Sequence, residues 1–238
     1  RMTRYLEPPA PPIRLSAPPV RGKVLVLAPH PDDETIGPGG TVRLHAQLGD
    51  EVHALFLTAG TSGDPTGREE PRAYAARREA EARAAAKVLG IAALQFWGFP
   101  DNHRVNENDL GAILPRMKQA IEGFAPDVIY APHVGDQHSD HFTTAVLTQR
   151  VLAQLARPPQ AFGYEVWSAS RATWIVDVSS VYATKMAALD CYPSQLEHTD
   201  IRRFVSGLNA YRAVFLDKGA TYGEAFVALE PDARAGAS

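Results

Sequence analysis

The stretch VLVLAPHPDDETIGPGG, Val24 to Gly40, decides how the chain is read. It begins with a short apolar run rich in Val and Leu, as expected of a strand buried on both faces. Directly after the run come one histidine and three acidic residues within five positions, His30 to Glu34. Charge of that density cannot continue a buried strand, so the strand ends there. In an open α/β sheet, the carboxyl ends of the strands are where ligands bind.

Working outward, the same alternation recurs. GGTVRLHAQLGD reads as a helix opened by glycines and stopped at Gly49, and EVHALFLT as a second strand. AYAARREAEARAAAKVLG is a helix of strong formers that Gly90 terminates. ALQFWGF is a third strand, DLGAILPRMKQAIEGF a helix bent or started late by Pro115, PDVIYAPH a fourth strand and HFTTAVLTQRVLAQLA a helix. Strands AFGYEVWS, TWIVDV and EAFVALE follow, with helical stretches around Met186 and Phe204. This order predicts an α/β, Rossmann-like, doubly wound sheet, mostly parallel, with helices on both faces. One domain is expected over residues 23–230, after a Pro-rich arm (1–22) and before a flexible tail (231–238). The polar segments HPDDE, TAGTSGD, GFPDN and HVGDQHSDH each follow a strand, so four strand ends bring polar groups to one rim.

A chain of 238 residues buries enough surface to need no disulfide. Its single cysteine, Cys191, suits a reducing cytosol, and a cytoplasmic protein is the expectation. A net charge of −3 gives no electrostatic reason to expect nucleic acid or an anionic membrane as partner. No apolar stretch approaches the roughly 20 residues of a membrane helix, and the proline doublets near the start forbid the continuous apolar helix of a signal peptide. The Pro-rich arm is suited to lie over the surface or against a neighbouring subunit, which would make a homo-oligomer.

Three readings of His30–Glu34 compete. A dinucleotide fingerprint fails, because Val42 stands where the last glycine should fall and three acidic groups would repel a pyrophosphate. Helix capping accounts for one or two carboxylates but not for His30, nor for a second His/Asp cluster after another strand. A metal site accounts for both: catalytic zinc commonly takes three His and carboxylate ligands and keeps one position open. His30 and Asp33 are three apart across a turn, and HSDH supplies His138 and His141 at the same spacing. Adjacent placement of the two strands would let the clusters meet.

PHPDDE with the downstream HSDH resembles the PIG-L/LmbE-like family of zinc-dependent N-deacetylases, which act on N-acetylglucosaminyl conjugates. RREAEARAAAKVLG, GFPD, YAPHVGDQHSDH, CYPSQ and YGEAF extend the likeness from Lys23 to about Glu230. The resemblance implies His30, Asp33 and His141 as metal ligands and Asp32 as general base on the activated water. It implies His138 as stabiliser of the oxyanion, protonated or oriented by Asp140. Either Asp32 or His138 protonates the leaving amine. Glu34 is expected to hold the turn around the ligands. Arg78 and Asp101 match substrate-contacting positions; the plainer readings are a surface ion pair of Arg78 with Glu81, and a turn role for Asp101. Zn2+ is the implied cofactor, with other divalent ions open, and a small N-acetyl amino-sugar conjugate is the implied partner.

One departure matters. Some relatives carry a tyrosine two residues before the first histidine of the second motif; here the position is Asp136, leaving Tyr192 or Tyr222 to enter from elsewhere. Asp136 itself reads either as a carboxylate bonded to a ligand side chain or as a loop residue. His45, His53 and His198 read as structural, as do His103 and His133 despite their nearness to the rim. Trp97, Trp167 and Trp174 read as core or cleft-wall aromatics. Rival functions are a non-catalytic sugar-binding domain and an amidase for another N-acyl small molecule.

Overall fold

The computed structural model describes residues 10–102 and 107–232. His103 and the outermost parts of the arm and tail lie outside the described residues. In chain order the elements are β1 (Ile13–Leu15), β2 (Lys23–Ala28), α1 (Asp33–Ile36), α2 (Gly39–Gln47), β3 (Glu51–Thr58), α3 (Pro71–Leu89), β4 (Ala93–Phe99) and α4 (Glu107–Phe124). Then come β5 (Val128–Pro132), α5 (Ser139–Leu152), β6 (Gln160–Tyr164), β7 (Trp174–Asp177), α6 (Tyr182–Leu189), α7 (Pro193–Leu196), α8 (Ile201–Ala213) and β8 (Gly223–Ala228).

The strands form one eight-stranded sheet in the order β1-β7-β8-β6-β5-β2-β3-β4. All neighbours are parallel except β8, which runs antiparallel between β6 and β7. The mostly parallel sheet expected from the alternation is therefore present. Its central strands are buried on both faces, with side chains segregating by period two. Val24, Val26, Ala28, Val52, Phe56 and Tyr130 face a core closed by α2, α3, α6 and α8, whereas Leu25, Leu27, Leu55 and Ile129 face one closed by α4 and α5. Each such buried Val or Leu contributes about 1.5–3 kcal/mol.

β2 pairs with β3 on one side and β5 on the other. The chain runs outward from β2 through β3 to β4, then returns across β2 to start the other half at β5. The switch point lies between β2 and β5, the place where open α/β sheets bind ligands. Both charged motifs sit there, one after each strand.

Three local readings change. Ile13–Leu15, read as part of an arm outside the domain, form the edge strand of the sheet in parallel pairing with β7. An edge strand tolerates flanking prolines because one side of its backbone needs no partner. α4 neither starts nor stops at Pro115 but runs through it. α3 begins at Pro71 with the Glu70 side chain accepting from Ala73 N at 3.1 Å, and ends at Gly90, whose φ of +86° only glycine adopts without strain.

A buried ion pair fixes the segment after the first motif. Lys185 Nζ on α6 donates to Glu224 Oε1 on β8 (2.7 Å), Asn209 Oδ1 (3.0 Å) and Gly37 O (3.1 Å). Glu224 in turn accepts from Gly40 N and Thr41 N, both at 2.7 Å, supplying the N-terminus of α2 with the carboxylate its own sequence lacks. Gly37 is required by packing, since a Cβ there would lie 2.3 Å from the Tyr164 ring. Glu224→Ala is expected to cost about 3–5 kcal/mol, because it strands a buried ammonium and strips two N–H groups of their acceptor. Lys185→Met should cost less, since Glu224 keeps its two backbone donors; urea unfolding of both variants checks the order, and equal costs would contradict it.

Candidate metal and active site

The first motif is held from both sides, by the neighbouring strand β3 and by β6 beyond β5. Thr58, at the end of β3, donates to Pro29 O from its N–H (2.9 Å) and its hydroxyl (3.0 Å), and Tyr164 of β6 donates its hydroxyl to Leu27 O (3.0 Å). The chain then turns at Asp32, which has φ +153° and ψ −24°, a conformation non-glycine residues rarely hold. The turn is compensated because Asp32 O accepts from Thr35 N and Ile36 N, each at 2.9 Å, to open α1. Strain of this kind persists only where surrounding structure imposes it, and it is common at working sites.

The result brings the two clusters together. Asp33 Oδ2 accepts from His30 N (2.9 Å) and lies 3.0 Å from His30 Nδ1 and 3.2 Å from His141 Nε2. The imidazoles of His30, His138 and His141 lie within 5.4 Å of one another, centroid to centroid. Ligand atoms of His30, Asp33 and His141 all fall within 4.8 Å of each other, and so do those of His30, His138 and Asp140.

A cation fits the first of these groups better. His141 is fully buried, yet neither ring nitrogen has a hydrogen-bond partner of good geometry, even with Asp33 at 3.2 Å and Asp136 Oδ1 at 3.5 Å. A buried polar atom without a partner needs an explanation, and a cation facing Nε2 supplies one. In the second group, His138 Nδ1 is already occupied, accepting from Asp140 N at 3.2 Å. The field agrees. Burial opposes a charged His30, but its bonds to Asp140 and Asp33 and the charges of Asp33 and Asp32 raise its pKa to about 10. Burial likewise opposes a charged His141, and Asp33 and Asp136 still raise it to about 9. Carboxylates that draw protons onto two buried imidazoles form a site that attracts positive charge.

Asp32 stands apart from this group and faces Arg78, whose Nη2 is 3.2 Å from Asp32 Oδ2. Burial raises the Asp32 pKa, Arg78 pulls it back, and the balance is about 6. Arg78 is 2% exposed, so the reading of a surface ion pair with Glu81 is wrong. It also donates to Pro31 O and to Gly60 O, tying the motif turn to the loop after β3, while Glu81 binds Ser194 N (3.0 Å) and Oγ (2.5 Å). Asp101 accepts from Gly60 N (2.8 Å) and Ser62 N (2.5 Å), so its carboxylate secures that same loop at the wall of the cavity. Glu34 is fully buried and accepts from Thr35 Oγ1 (2.6 Å) and the Tyr192 hydroxyl, not from ligand groups; burial raises its pKa to about 7.

The Asp140–His138 ion pair expected from the resemblance is not formed. Asp140 Oδ2 instead meets His30 Nε2 at 3.0 Å and accepts from Asn102 N at 2.8 Å. Burial, with His30 and His141 nearby, lowers the His138 pKa rather than raising it. Because Nδ1 accepts from a backbone N–H, neutral His138 carries its proton on Nε2 and is a hydrogen-bond donor there.

These side chains line a cavity of about 180 Å3 that includes His30, Asp32, Asp33, Arg78, Asp101 and His138. Trp167, one of the three tryptophans read as core or cleft-wall aromatics, also lines it, as does Gln195, which no reading singled out beyond the CYPSQ segment. Asp136 is the other addition: its carboxylate faces His141 and accepts from His138 N (3.0 Å) and Trp167 N (3.0 Å). Tyr192 is buried on Glu34 and Tyr222 stacks on Tyr182, so neither replaces the missing tyrosine. His45 bonds Asp50 and Tyr130, His53 stacks on Phe124, and His133 bonds Ser168 O, all away from the ligand group. No helix among the described residues is long and apolar enough to cross a membrane.

Known proteins are similar to this chain in sequence and in fold. The family model of GlcNAc-PI de-N-acetylase (PIG-L) matches residues 25–152, more than half of the chain and both charged motifs. The chain is 28% identical over 196 residues to 1D-myo-inositol 2-acetamido-2-deoxy-alpha-D-glucopyranoside deacetylase of Mycolicibacterium smegmatis, covering 73% of this chain and 66%, just under two thirds, of that protein. It is also 28% identical over 196 residues to 4-oxalmesaconate hydratase of Pseudomonas putida, covering 73% of this chain and 74% of that protein. Among solved structures, N,N'-diacetylchitobiose deacetylase from Pyrococcus horikoshii has the same fold, with a TM-score of 0.78 at 24% identity over 88% of this chain and 84% of that one. With its two motifs inside the matched span, the chain belongs to the PIG-L/LmbE family of N-acetylglucosaminyl-type deacetylases.

Proposed function

We propose that the chain is a metal-dependent hydrolase that removes the N-acetyl group from an N-acetylglucosamine-type conjugate, giving the free amine and acetate. The observation that carries this reading is the division of labour at the switch point. His30, Asp33 and His141 converge on one point, while Asp32 lies next to them but pairs with Arg78 instead. His30, Asp33 and His141 would hold a divalent cation, and Zn2+ suits the two imidazoles and one carboxylate. When bound, it supplies Lewis acidity for the amide carbonyl and lowers the pKa of a water toward about 7.

The remaining work falls to the chain. Asp32 takes a proton from the attacking water as the water oxygen bonds to the acetamide carbon. Arg78 keeps Asp32 ionised for that task, against the effect of burial. His138 donates from Nε2 to the carbonyl oxygen as negative charge develops on it. The C–N bond then breaks, and the nitrogen leaves with a proton supplied by Asp32 or His138. Asp140 supports His30 from its other ring nitrogen, the carboxylate–histidine arrangement that orients a ligand and raises its basicity.

The hydratase relative raises a second reading, addition of water to a carboxylate substrate. Charge weighs against it. Three aspartates line the cavity, and Arg78, the one positively charged wall residue besides the histidines among the described residues, is committed to Asp32. A neutral acetamido sugar meets less repulsion there than an anion.

Asp32→Asn is expected to lower kcat by about 10²- to 10⁴-fold while zinc, measured by elemental analysis, still binds stoichiometrically. His141→Ala should lose the metal itself. A non-catalytic sugar-binding domain predicts no amine release from N-acetylglucosamine conjugates by the zinc-loaded wild type, and an amidase of another class predicts faster turnover of N-acyl amino acids.

The pH profile gives a separate check. A general base works when ionised, so kcat/KM falls as pH drops through the Asp32 pKa, about 6 or below once a cation adds to the pull of Arg78. Arg78→Gln removes a charge that favours the carboxylate, so the acid limb should move to higher pH. An unmoved limb in a folded variant would count against Asp32 as the base.

A further inference from the structure

A second cavity lies apart from the one at the switch point and, among the described residues, shares no lining residue with it. Its volume of about 610 Å3 falls within the roughly 300–1,000 Å3 of small-molecule sites. Three pieces of chain form it: the approach to β1 with Ala10 and Pro12, the run Ser170 to Thr173 before β7, and Arg212 and Phe215 at the end of α8. These walls are tied together. Ile13 N donates to Thr173 O and Thr173 N to Phe226 O, both at 2.8 Å. Arg212 Nη2 donates to Ser170 O at 2.8 Å, joining α8 to the run before β7.

The lining is built for binding rather than for chemistry. Ser170 Oγ donates to Glu165 Oε1 (2.9 Å) and Thr173 Oγ1 to Phe226 O (3.2 Å), so neither hydroxyl is free to act as a nucleophile. Ala10, Pro12, Ala172 and Phe215 supply apolar surface, and the Phe215 ring is set edge-on to Tyr211 with centroids 5.6 Å apart. The charge has one sign. Arg171 and Arg212 line the cavity, and among the described residues no carboxylate does. The cavity at the switch point, with its three aspartates, has the opposite balance.

Arg212 is only 5% exposed and commits Nε and Nη2 to Glu165 and Ser170 O. With Ser170 N donating to the same Glu165 carboxylate at 2.5 Å, this pair anchors the segment that carries Trp167. Nη1 has no hydrogen-bond partner among the described residues, yet it is not sealed from solvent, so the open edge of the guanidinium faces the cavity it lines. A charge held mostly out of water attracts an anion more strongly than a surface arginine does. Arg171 is exposed and its side chain has no partner among the described residues. Glu165 offsets one of the two arginines, which leaves the charge of one guanidinium uncompensated. We infer that this cavity is a binding site for a small organic monocarboxylate with an apolar ring as its body. The carboxylate accepts from Arg212 Nη1 and from Arg171, while the ring packs between Pro12 and Phe215. The inference stands independently of the deacetylase reading.

Calorimetric titration of 2-naphthoate into the zinc-loaded protein is the test, with 2-naphthylmethanol and acetate as probes that lack the charge and the ring respectively. 2-Naphthoate is expected to bind wild type about ten-fold more tightly than either. Arg171→Gln, at an exposed side chain that holds nothing in place, should weaken 2-naphthoate by about ten-fold. Phe215→Ala should weaken 2-naphthoate and leave acetate unchanged. Binding should persist in wild type stripped of zinc by chelation. Binding that is lost with the zinc but retained in Arg171→Gln would put the ligand on the cation at the switch point and overturn the site. Equal binding of 2-naphthylmethanol, or no binding of 2-naphthoate, would also overturn it. Tighter binding of 2-naphthyl phosphate would overturn the assignment to a monocarboxylate, since only one uncompensated charge faces the ligand.

Discussion

One carboxylate oxygen joins the two halves of the site. Asp33 Oδ2 accepts from the backbone of His30 and lies against the rings of both His30 and His141. These groups come from the end of β2 and the first turn of α5, more than a hundred residues apart in sequence. The carboxylate can hold this place because the turn before it is fixed: Asp32 takes an unfavourable φ, and the turn is held by the first bonds of α1, by Thr58 of β3 and Tyr164 of β6 on the backbone just before it, and by Arg78 across it. A burial cost is also being met. Asp33, Asp136 and His141 are almost wholly removed from water, and charges so placed are stable only with opposite charge at hand.

Two arginine–carboxylate pairs and one lysine–carboxylate pair are buried around this centre, and each has a distinct function in the fold. Arg78–Asp32 sets the ionisation of the proposed base. Arg212–Glu165 anchors the segment that carries Trp167. Lys185–Glu224 fixes the start of α2 to β8 and α6. None is favoured simply by Coulomb attraction, since desolvation offsets most of that gain. Their common feature is that each also binds backbone groups of a non-helical segment, so each converts a loop into a fixed part of the wall.

Much of this could be read in the sequence, for a physical reason. The apolar run of β2 and the charge that follows it are local in sequence, and strand-end placement follows from alternation alone. That order allowed β2 and β5 to lie side by side without requiring it, and the set of His30, Asp33 and His141 came from the resemblance; the structure pairs the two strands and brings the three side chains within reach of one another. Partners fixed only by tertiary packing were not legible. Nothing in HSDH says that the Asp140 carboxylate turns to His30 rather than His138. Nothing in RREAE says that Arg78 is buried against Asp32 while Glu81 reaches Ser194. For Asp136 the sequence left a partner of a ligand and a loop carboxylate equally open, and its position between His141 and the Trp167 backbone depends on β6 lying beside β5. Ile13–Leu15 were missed because a three-residue edge strand between prolines has no periodicity to read.

The placement of Asp136 bears on how recognition and chemistry are related in this chain. One of its oxygens faces Nδ1 of His141, while the other accepts from the N–H groups of Trp167 and Ser168. The environment of a proposed ligand, His141, and the position of Trp167 at the cavity wall therefore share a single buried carboxylate. A displacement of the Trp167 segment cannot occur without loss of hydrogen bonds from a group that also sets the environment of His141. The relatives differ in what they act on, a glucosaminyl-inositol and a chitobiose derivative on one side and a mesaconate derivative on the other. In this chain the switch point brings the two motifs together, while the cavity wall is built partly from the loops after β3 and β4 and partly from Trp167 and Gln195 beyond β5, so the surface that meets the rest of a substrate is anchored separately from the motif turn.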